Sequence, residues 1–266
     1  MISVATFYRF VPLSGYRELR DPVTWLCRRH GVRGTILLAG EGINATIAGE
    51  RREIEAVIEG LGRFGGLEGL GARFSTSEEM PFKRLKVRLK KEIVTMGVKE
   101  IDPTSEAGTY VDPQDWNRLI DDPQVLVIDT RNDYEVEVGT FEGAVSPAMA
   151  SFREFPDYVD RSLDPLRHTR VAMFCTGGIR CEKATAYLRR RGFGEVYHLR
   201  GGILRYLEEM PEAESRWKGE CFVFDERVAL DHELQPGDHS LCPVCQRVMP
   251  ESGAECRHCQ RSACTS

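Results

Sequence analysis

The sequence predicts a mixed α/β protein in three parts: an α+β domain over 1–100, an α/β domain with a parallel sheet over 112–218, and a small cysteine-rich segment over 219–266. Three observations predict it. The first hundred residues alternate short amphipathic strands with two helical stretches. The middle holds continuous apolar runs at 125–129, 171–174 and 196–199, separated by helical segments, as in a sheet covered on both faces. The tail sets four cysteines in two Cys-x-x-Cys pairs.

Residues 3–10 read as the first strand. Residues 21–30 read as a helix that Asp21 caps, that takes Pro22 in its first turn and that ends at Gly31. Strands over 33–39 and 42–48 flank Gly40-Glu41, and Glu41-Gly42-Ile43-Asn44 reads as a tight turn. Residues 50–61 place Ile54, Val57, Ile58 and Leu61 on one helical face, and 73–75 and 85–95 supply the remaining strands. Two helices on one face of a four-stranded antiparallel sheet is the ferredoxin-like arrangement. That architecture often binds RNA, but a fold assigns no function, and the stacking aromatics of an RNA-recognition motif are not evident here. In the segment 82–91, Leu85, Val87 and Leu89 fall on one strand face and Arg84, Lys86, Arg88 and Lys90 on the other. The charged face reads either as a solvated surface or as a phosphate-facing strip, with Lys86 and Arg88 as candidate RNA contacts.

Asp102-Pro103, Gly108 and Asp112-Pro113 read as a turn-rich linker. Beyond it, the strand at 125–129 ends in Asp129-Thr130-Arg131, and the strand at 171–174 runs into a six-residue loop from Cys175 to Arg180, followed by a helix over 180–191 closed by Gly192. Gly201-Gly202 opens a last helix around 204–209. Ligands of parallel sheets bind at the carboxyl ends of the strands, which is where Cys175 stands. A cysteine there faces inward-pointing amides, the positive end of a helix dipole and, in this chain, Arg180. All three favour the thiolate, the reactive form, so Cys175 is the candidate nucleophile. The amides of Thr176, Gly177, Gly178 and Ile179 are the candidate anion nest, with the two glycines letting the loop curl. Without these features, a lone cysteine after an apolar strand would be a small core residue. Cys181 is too far from Cys175 for a Cys-x-x-Cys redox pair; it is read as a packing residue or a second, resolving thiol. Asp129 and Arg131 are candidate support for the site, and Arg189-Arg190-Arg191 reads as a helix end whose cations suit the dipole.

In the tail, Cys242-Pro243-Val244-Cys245 and Cys256-Arg257-His258-Cys259 stand ten residues apart. Cys242, Cys245, Cys256 and Cys259 at that spacing suit a tetrahedral structural zinc, with His258 or Cys264 as substitute ligands. Without metal, a segment with so few apolar residues would be disordered. Nine cysteines and no signal-like apolar core at the N-terminus lead us to expect a reducing, cytoplasmic setting, and no run of residues could span a bilayer. A net charge of −5 excludes a globally basic nucleic-acid binder, leaving only local patches.

The middle domain resembles a rhodanese domain. The resemblance is carried by Asp129-Thr130-Arg131, Gly139-Thr140-Phe141-Glu142-Gly143-Ala144, the Cys175–Arg180 loop and Leu199-Arg200-Gly201-Gly202-Ile203. Thr140 departs from the His most members have there. Four residues separate Cys175 from Arg180, as in sulfur-handling members; related phosphatases carry one more. The resemblance implies a persulfide on Cys175, with the loop amides and Arg180 holding the anionic end of a sulfur donor. With the flanks Leu37-Leu38-Ala39-Gly40-Glu41-Gly42-Ile43-Asn44-Ala45-Thr46-Ile47 and Gly219-Glu220-Cys221-Phe222-Val223-Phe224-Asp225-Glu226-Arg227-Val228, nearly the whole chain resembles the bacterial tRNA uridine hydroxylase family. That implies an oxidoreductase using molecular oxygen to convert the wobble uridine of tRNA to 5-hydroxyuridine, with Cys175 as the catalytic cysteine and the anticodon arm of tRNA as the partner. No flavin, iron or haem motif stands in the sequence, in keeping with that family. Two other functions fit the same residues: a sulfurtransferase working through a Cys175 persulfide, and a non-enzymatic RNA-binding adaptor.

Overall fold

The computed structural model describes residues 1–98, 101–250, 256 and 259. It divides into two compact units, Met1–Gly97 and Val98–Ser266.

The first unit runs β1 (Ile2–Phe10), α1 (Arg20–Arg29), β2 (Arg33–Ala39), β3 (Gly42–Gly49), α2 (Arg51–Leu61), β4 (Arg73–Ser77) and β5 (Leu85–Leu89). Alternate residues of the strands, among them Ala5, Phe7, Ile36, Leu38, Ile43, Ala45 and Ile47, form one core with Val23 and Cys27 of α1 and Ile54, Val57 and Leu61 of α2. Both helices therefore cover the same sheet face. The sheet has five strands, in the order β4-β1-β3-β2-β5, where four were expected. The fifth, β5, joins β2 in parallel, pairing Thr35 with Lys86 and Leu37 with Arg88. It stops at Leu89 and does not run on to residue 95. Beyond it the chain is held by side chains: Glu41 accepts the Ile93 N–H at 2.6 Å and Asn44 donates to the Ile93 carbonyl at 3.1 Å. The expected Glu41–Asn44 turn thus ties down the segment after β5. Helix α1 begins at Arg20, with Leu19 at its cap and no side-chain cap bond; Asp21 sits in the first turn, where its charge suits the dipole.

Val87 is 8% exposed and belongs to the core, so the charged residues on either side of it face away from α1 and α2. Arg84, Arg88 and Lys90 are exposed and Lys86 is partly buried. Leu89, expected on the core face, is 37% exposed.

The second unit begins with structure where a linker was expected. Helix α3 (Pro103–Glu106) is capped by the Asp102 carboxylate, which accepts from Thr104 N–H at 3.0 Å, and β6 (Thr109–Val111) follows. Then come α4 (Pro113–Ile120), β7 (Leu126–Asp129), α5 (Asp133–Val136), β8 (Gly139–Phe141), α6 (Phe155–Ser162), β9 (Arg170–Phe174), α7 (Ile179–Arg190), β10 (Glu195–Leu199), α8 (Gly202–Glu209), β11 (Trp217–Gly219), β12 (Cys221–Phe222), β13 (Ala229–Leu230), β14 (Ser240–Leu241) and β15 (Val248–Met249). The sheet is parallel throughout, in the order β6-β10-β9-β7. Ala172 and Phe174 of β9 share a core with Trp116 of α4 and Ile203, Tyr206 and Leu207 of α8. Their neighbours Val171 and Met173 are just as buried, which accounts for a run with no polar alternation.

Behind this sheet, β11 pairs with β8, so the chain beyond α8 returns to the start of the domain. Phe222 and Val228 then pack on Val138 and Tyr134. Hairpin β14–β15 carries Cys242 and Cys245 in its turn. Among the described residues, no helix is long and apolar enough to cross a membrane.

Candidate functional site: a thiolate loop and a four-cysteine cluster

The carboxyl ends of β7 and β9 and the start of α7 meet at Cys175. The loop is shorter than expected: α7 begins at Ile179, and Gly178 caps it in a left-handed conformation with φ of 98°. Ile179 and Arg180 therefore belong to the first helical turn. Gly178 is needed for that backbone angle, whereas Gly177 is not; a Cβ on Gly177 would meet nothing within 4 Å. The loop is braced from below by α8. Ile203 N–H donates to the Cys175 carbonyl at 3.0 Å and Leu204 N–H to the Thr176 carbonyl at 3.1 Å. A Cβ on Gly202 would collide with the Cys175 carbonyl oxygen and lie 2.6 Å from that of Thr176, which explains a glycine at this position.

Cys175 Sγ accepts the Gly178 N–H at 3.1 Å, and the amides of Arg180 and Cys181 point at it too. Of the expected nest, this bond comes from Gly178; the Arg180 and Cys181 amides join it from the helix. The sulfur is fully buried. Burial alone pushes its thiol up, but the Cys181 thiol, the Arg180 guanidinium and the two helix amides outweigh burial and bring it down to about 6. Cys181 moves the other way: burial, then the charge and hydrogen bond of Cys175, raise it well above an ordinary thiol. Of the two thiols, Cys175 is therefore the more acidic.

Arg180 is anchored by a residue that the sequence reading missed. Glu135, fully buried, takes both its guanidinium nitrogens at 2.6 and 2.7 Å and lies 3.4 Å from the Thr176 hydroxyl, which donates to it. Burial, the largest single influence, would raise this carboxyl, but the charge and hydrogen bonds of Arg180, the Arg131 charge and the Asn132 amide together lower it. Glu135 also closes a capping box with Asn132 at the start of α5. The Asn132-x-x-Glu135 spacing was the available signal, and it announced a helix start rather than a site. Asp129 and Arg131 lie beneath, both fully buried. Arg131 donates to Asp129 at 2.6 and 2.9 Å and to the carbonyls of Glu135 at 3.2 Å and Gly139 at 2.5 Å. Thr140, where a His was expected from the resemblance, donates to Asp129 at 2.9 Å. Asp129 and Arg131 thus tie β7, α5 and β8 together, and the Asp129 charge acts on Arg180. Lys86 and Arg88 belong to the first unit.

Cys242, Cys245, Cys256 and Cys259 have sulfurs all within 4.8 Å of one another. The Cys242–Cys259 and Cys245–Cys256 edges are 3.7 and 3.5 Å. A tetrahedron with metal–sulfur bonds of about 2.3 Å has edges of about 3.8 Å, so the four cysteines can bind a metal such as zinc. Amides of Cys245 and Val244 help lower the Cys242 thiol to about 6, favouring the ligating form. His258 and Cys264, the expected substitute ligands, lie outside the described residues.

Residues 2–93 match the family described as UPF0176 acylphosphatase like domain, and residues 112–209 match the rhodanese-like domain. Among solved structures, a rhodanese-like domain from Anabaena sp. is 22% identical, with 41% of this chain and 78% of that one covered and a TM-score of 0.33. A Rhodopseudomonas palustris protein of unknown function, described as a possible tyrosine phosphatase, is 21% identical over 44% of this chain and 93% of that one, with a TM-score of 0.34. An acylphosphatase from Coxiella burnetii is 14% identical over 32% and 90%, with a TM-score of 0.26.

Proposed function

Because the chain joins an acylphosphatase-like domain to a rhodanese-like domain, the architecture of the UPF0176 family, we propose that it is a tRNA-modifying enzyme, an oxygen-dependent hydroxylase of the wobble uridine. The observation that carries the reading is Cys175 Sγ at the start of α7, fully buried, accepting the Gly178 N–H at 3.1 Å, and with its thiol lowered by the Arg180 charge and the helix amides. Few structural cysteines have a reason to be ionised. Gly178 and the first turn of α7 hold the negative sulfur, Glu135 fixes Arg180 beside it, and Asp129 with Arg131 keeps the floor of the site rigid. Molecular oxygen is the co-substrate in this reading. The tRNA anticodon arm is the partner, met by Lys86 and Arg88 on β5. Zinc at the four cysteines is structural and supplies a fold, not a reaction step.

The test is nucleoside mass spectrometry of tRNA from cells lacking the protein, complemented with the wild type or with Cys175→Ser. Loss of 5-hydroxyuridine-derived nucleosides, restored by the wild type alone, is the expected result; unchanged nucleosides would refute the assignment. A second reading, sulfurtransferase, is favoured by the full burial of Cys175, which suits a small anionic donor such as thiosulfate. Rapid cyanide-dependent thiocyanate formation with normal tRNA nucleosides would select it.

A further inference from the structure

Beyond its hydrogen bond to the Cys175 sulfur, Cys181 has no role assigned above, yet its surroundings are not those of a packing residue. It stands on the first turn of α7, fully buried. Its amide and its thiol both face Cys175 Sγ. Its other polar neighbour is Thr130 Oγ1, at 3.6 Å. The Thr130 hydroxyl proton already goes to the Phe174 carbonyl at 2.9 Å, so toward Cys181 the threonine oxygen can only accept. The Cys181 proton therefore has two acceptors, one of them the Cys175 thiolate. A cysteine kept only for volume would face carbon.

Access points the same way. With Cys175 0% exposed, a small donor needs only a small opening to reach it, whereas a second protein's thiol must come alongside in line with the bond it breaks. Cys181 is already alongside. Cys221, the next buried cysteine of this region, gives its thiol to the Phe222 carbonyl at 3.8 Å, and burial pushes it up to about 12.

We propose that Cys181 is the resolving thiol of this site. Resting on the reading of Cys175 as a persulfide carrier, the step begins with a sulfane sulfur on Cys175. Cys181 Sγ attacks Cys175 Sγ; the Cys175–Cys181 bond forms and the bond to the outer sulfur breaks. The outer sulfur leaves as hydrosulfide, taking the bonding electron pair and the proton released by Cys181. The sulfane sulfur is reduced, and the two cysteines become an intramolecular disulfide. The site then releases sulfide and requires an external dithiol to return to its starting state.

Trypsin cleaves after Arg180, between the two cysteines, so their linkage can be read directly as a joined peptide pair. Reduced full-length protein is treated with thiosulfate, its free thiols are blocked, and it is digested and weighed. The wild type is expected to release hydrosulfide and give the Cys175–Cys181 peptide pair. Cys181→Ser is expected to lose hydrosulfide release and keep the added sulfur on the Cys175 peptide. Added sulfur retained on Cys175 in the wild type, or a bond from Cys175 to Cys221, overturns the proposal. If the wild type shows neither added sulfur on Cys175 nor the peptide pair, the persulfide reading falls and this inference falls with it. The peptide pair is measured on the wild type, so poor folding of the variant cannot decide the outcome.

Discussion

The chemistry at Cys175 is a contest between burial and local charge, and its balance is testable. With the thiol at about 6, alkylation by iodoacetamide should be fast at neutral pH and fall away as the pH drops through that value. An ordinary thiol would lose reactivity already below about 8.5. Cys181, raised well above the usual range, should stay unlabelled throughout. Half-labelling of Cys175 above pH 8 would remove the basis for a nucleophile. Glu135 is the second lever. Its negative charge offsets part of the Arg180 field at the thiolate, so Glu135→Gln should shift the alkylation midpoint lower still. The same change leaves the buried Arg180 charge without its counter-ion and should cost roughly 3–5 kcal/mol of stability, measurable by urea unfolding. A stable variant with an unmoved midpoint would mean that Arg180 does not act through this pair.

Two elements set the site, and each can be broken alone. The loop rests on the start of α8, where Gly202 has φ of +67° and its missing Cβ leaves room for three backbone atoms of the loop. For Gly202→Ala the left-handed backbone alone costs about 1–2 kcal/mol, and neither loop carbonyl can step aside without moving Cys175. The expected result is a Cys175 alkylation midpoint displaced toward that of an ordinary thiol, with the circular dichroism of the domain preserved. The β14–β15 hairpin depends on its cysteines in a different way. Its small cluster holds Met249 and otherwise cysteine sulfur, too little apolar surface to fold alone. The purified protein should carry one zinc per chain, and chelation or Cys242→Ser should release it and expose this segment to proteolysis while the parallel sheet stays protected. Full protease resistance without metal would argue against a structural zinc.

At the scale of the molecule, the net charge of −5 is unfavourable for RNA, so the tRNA binding proposed above would rest on local strips such as β5. Lys86→Glu combined with Arg88→Glu should weaken tRNA binding more at low salt than at high salt. It should also flatten the slope of log affinity against log salt by about 0.7–0.9 for each phosphate that is no longer neutralised. Equal affinity at both salts would take β5 out of the RNA site. The charges also suit an edge strand, where they discourage pairing with another chain, and the salt dependence separates the two roles.

Much of this protein is legible in its residues alone, and the reason is the range of the forces involved. Strand alternation, helical periodicity and Cys-x-x-Cys spacing are local patterns, so β1 to β3, α2, α7 and the four-cysteine set could be placed from neighbours in the chain. Cys175 was legible because a strand end, a helix start and an arginine lie within six residues of one another. What escaped depends on pairings between distant segments. Glu135 meets Arg180 across 45 residues, β5 adds itself parallel to β2, and β6 pairs with β10 from a stretch rich in turn residues. No local pattern encodes these, because each group finds its partner only when packing brings the segments together. The same is true of the hydrogen bond between Cys175 and Cys181: the spacing of two cysteines is written in the chain, but the direction in which their sulfurs point is decided by the fold.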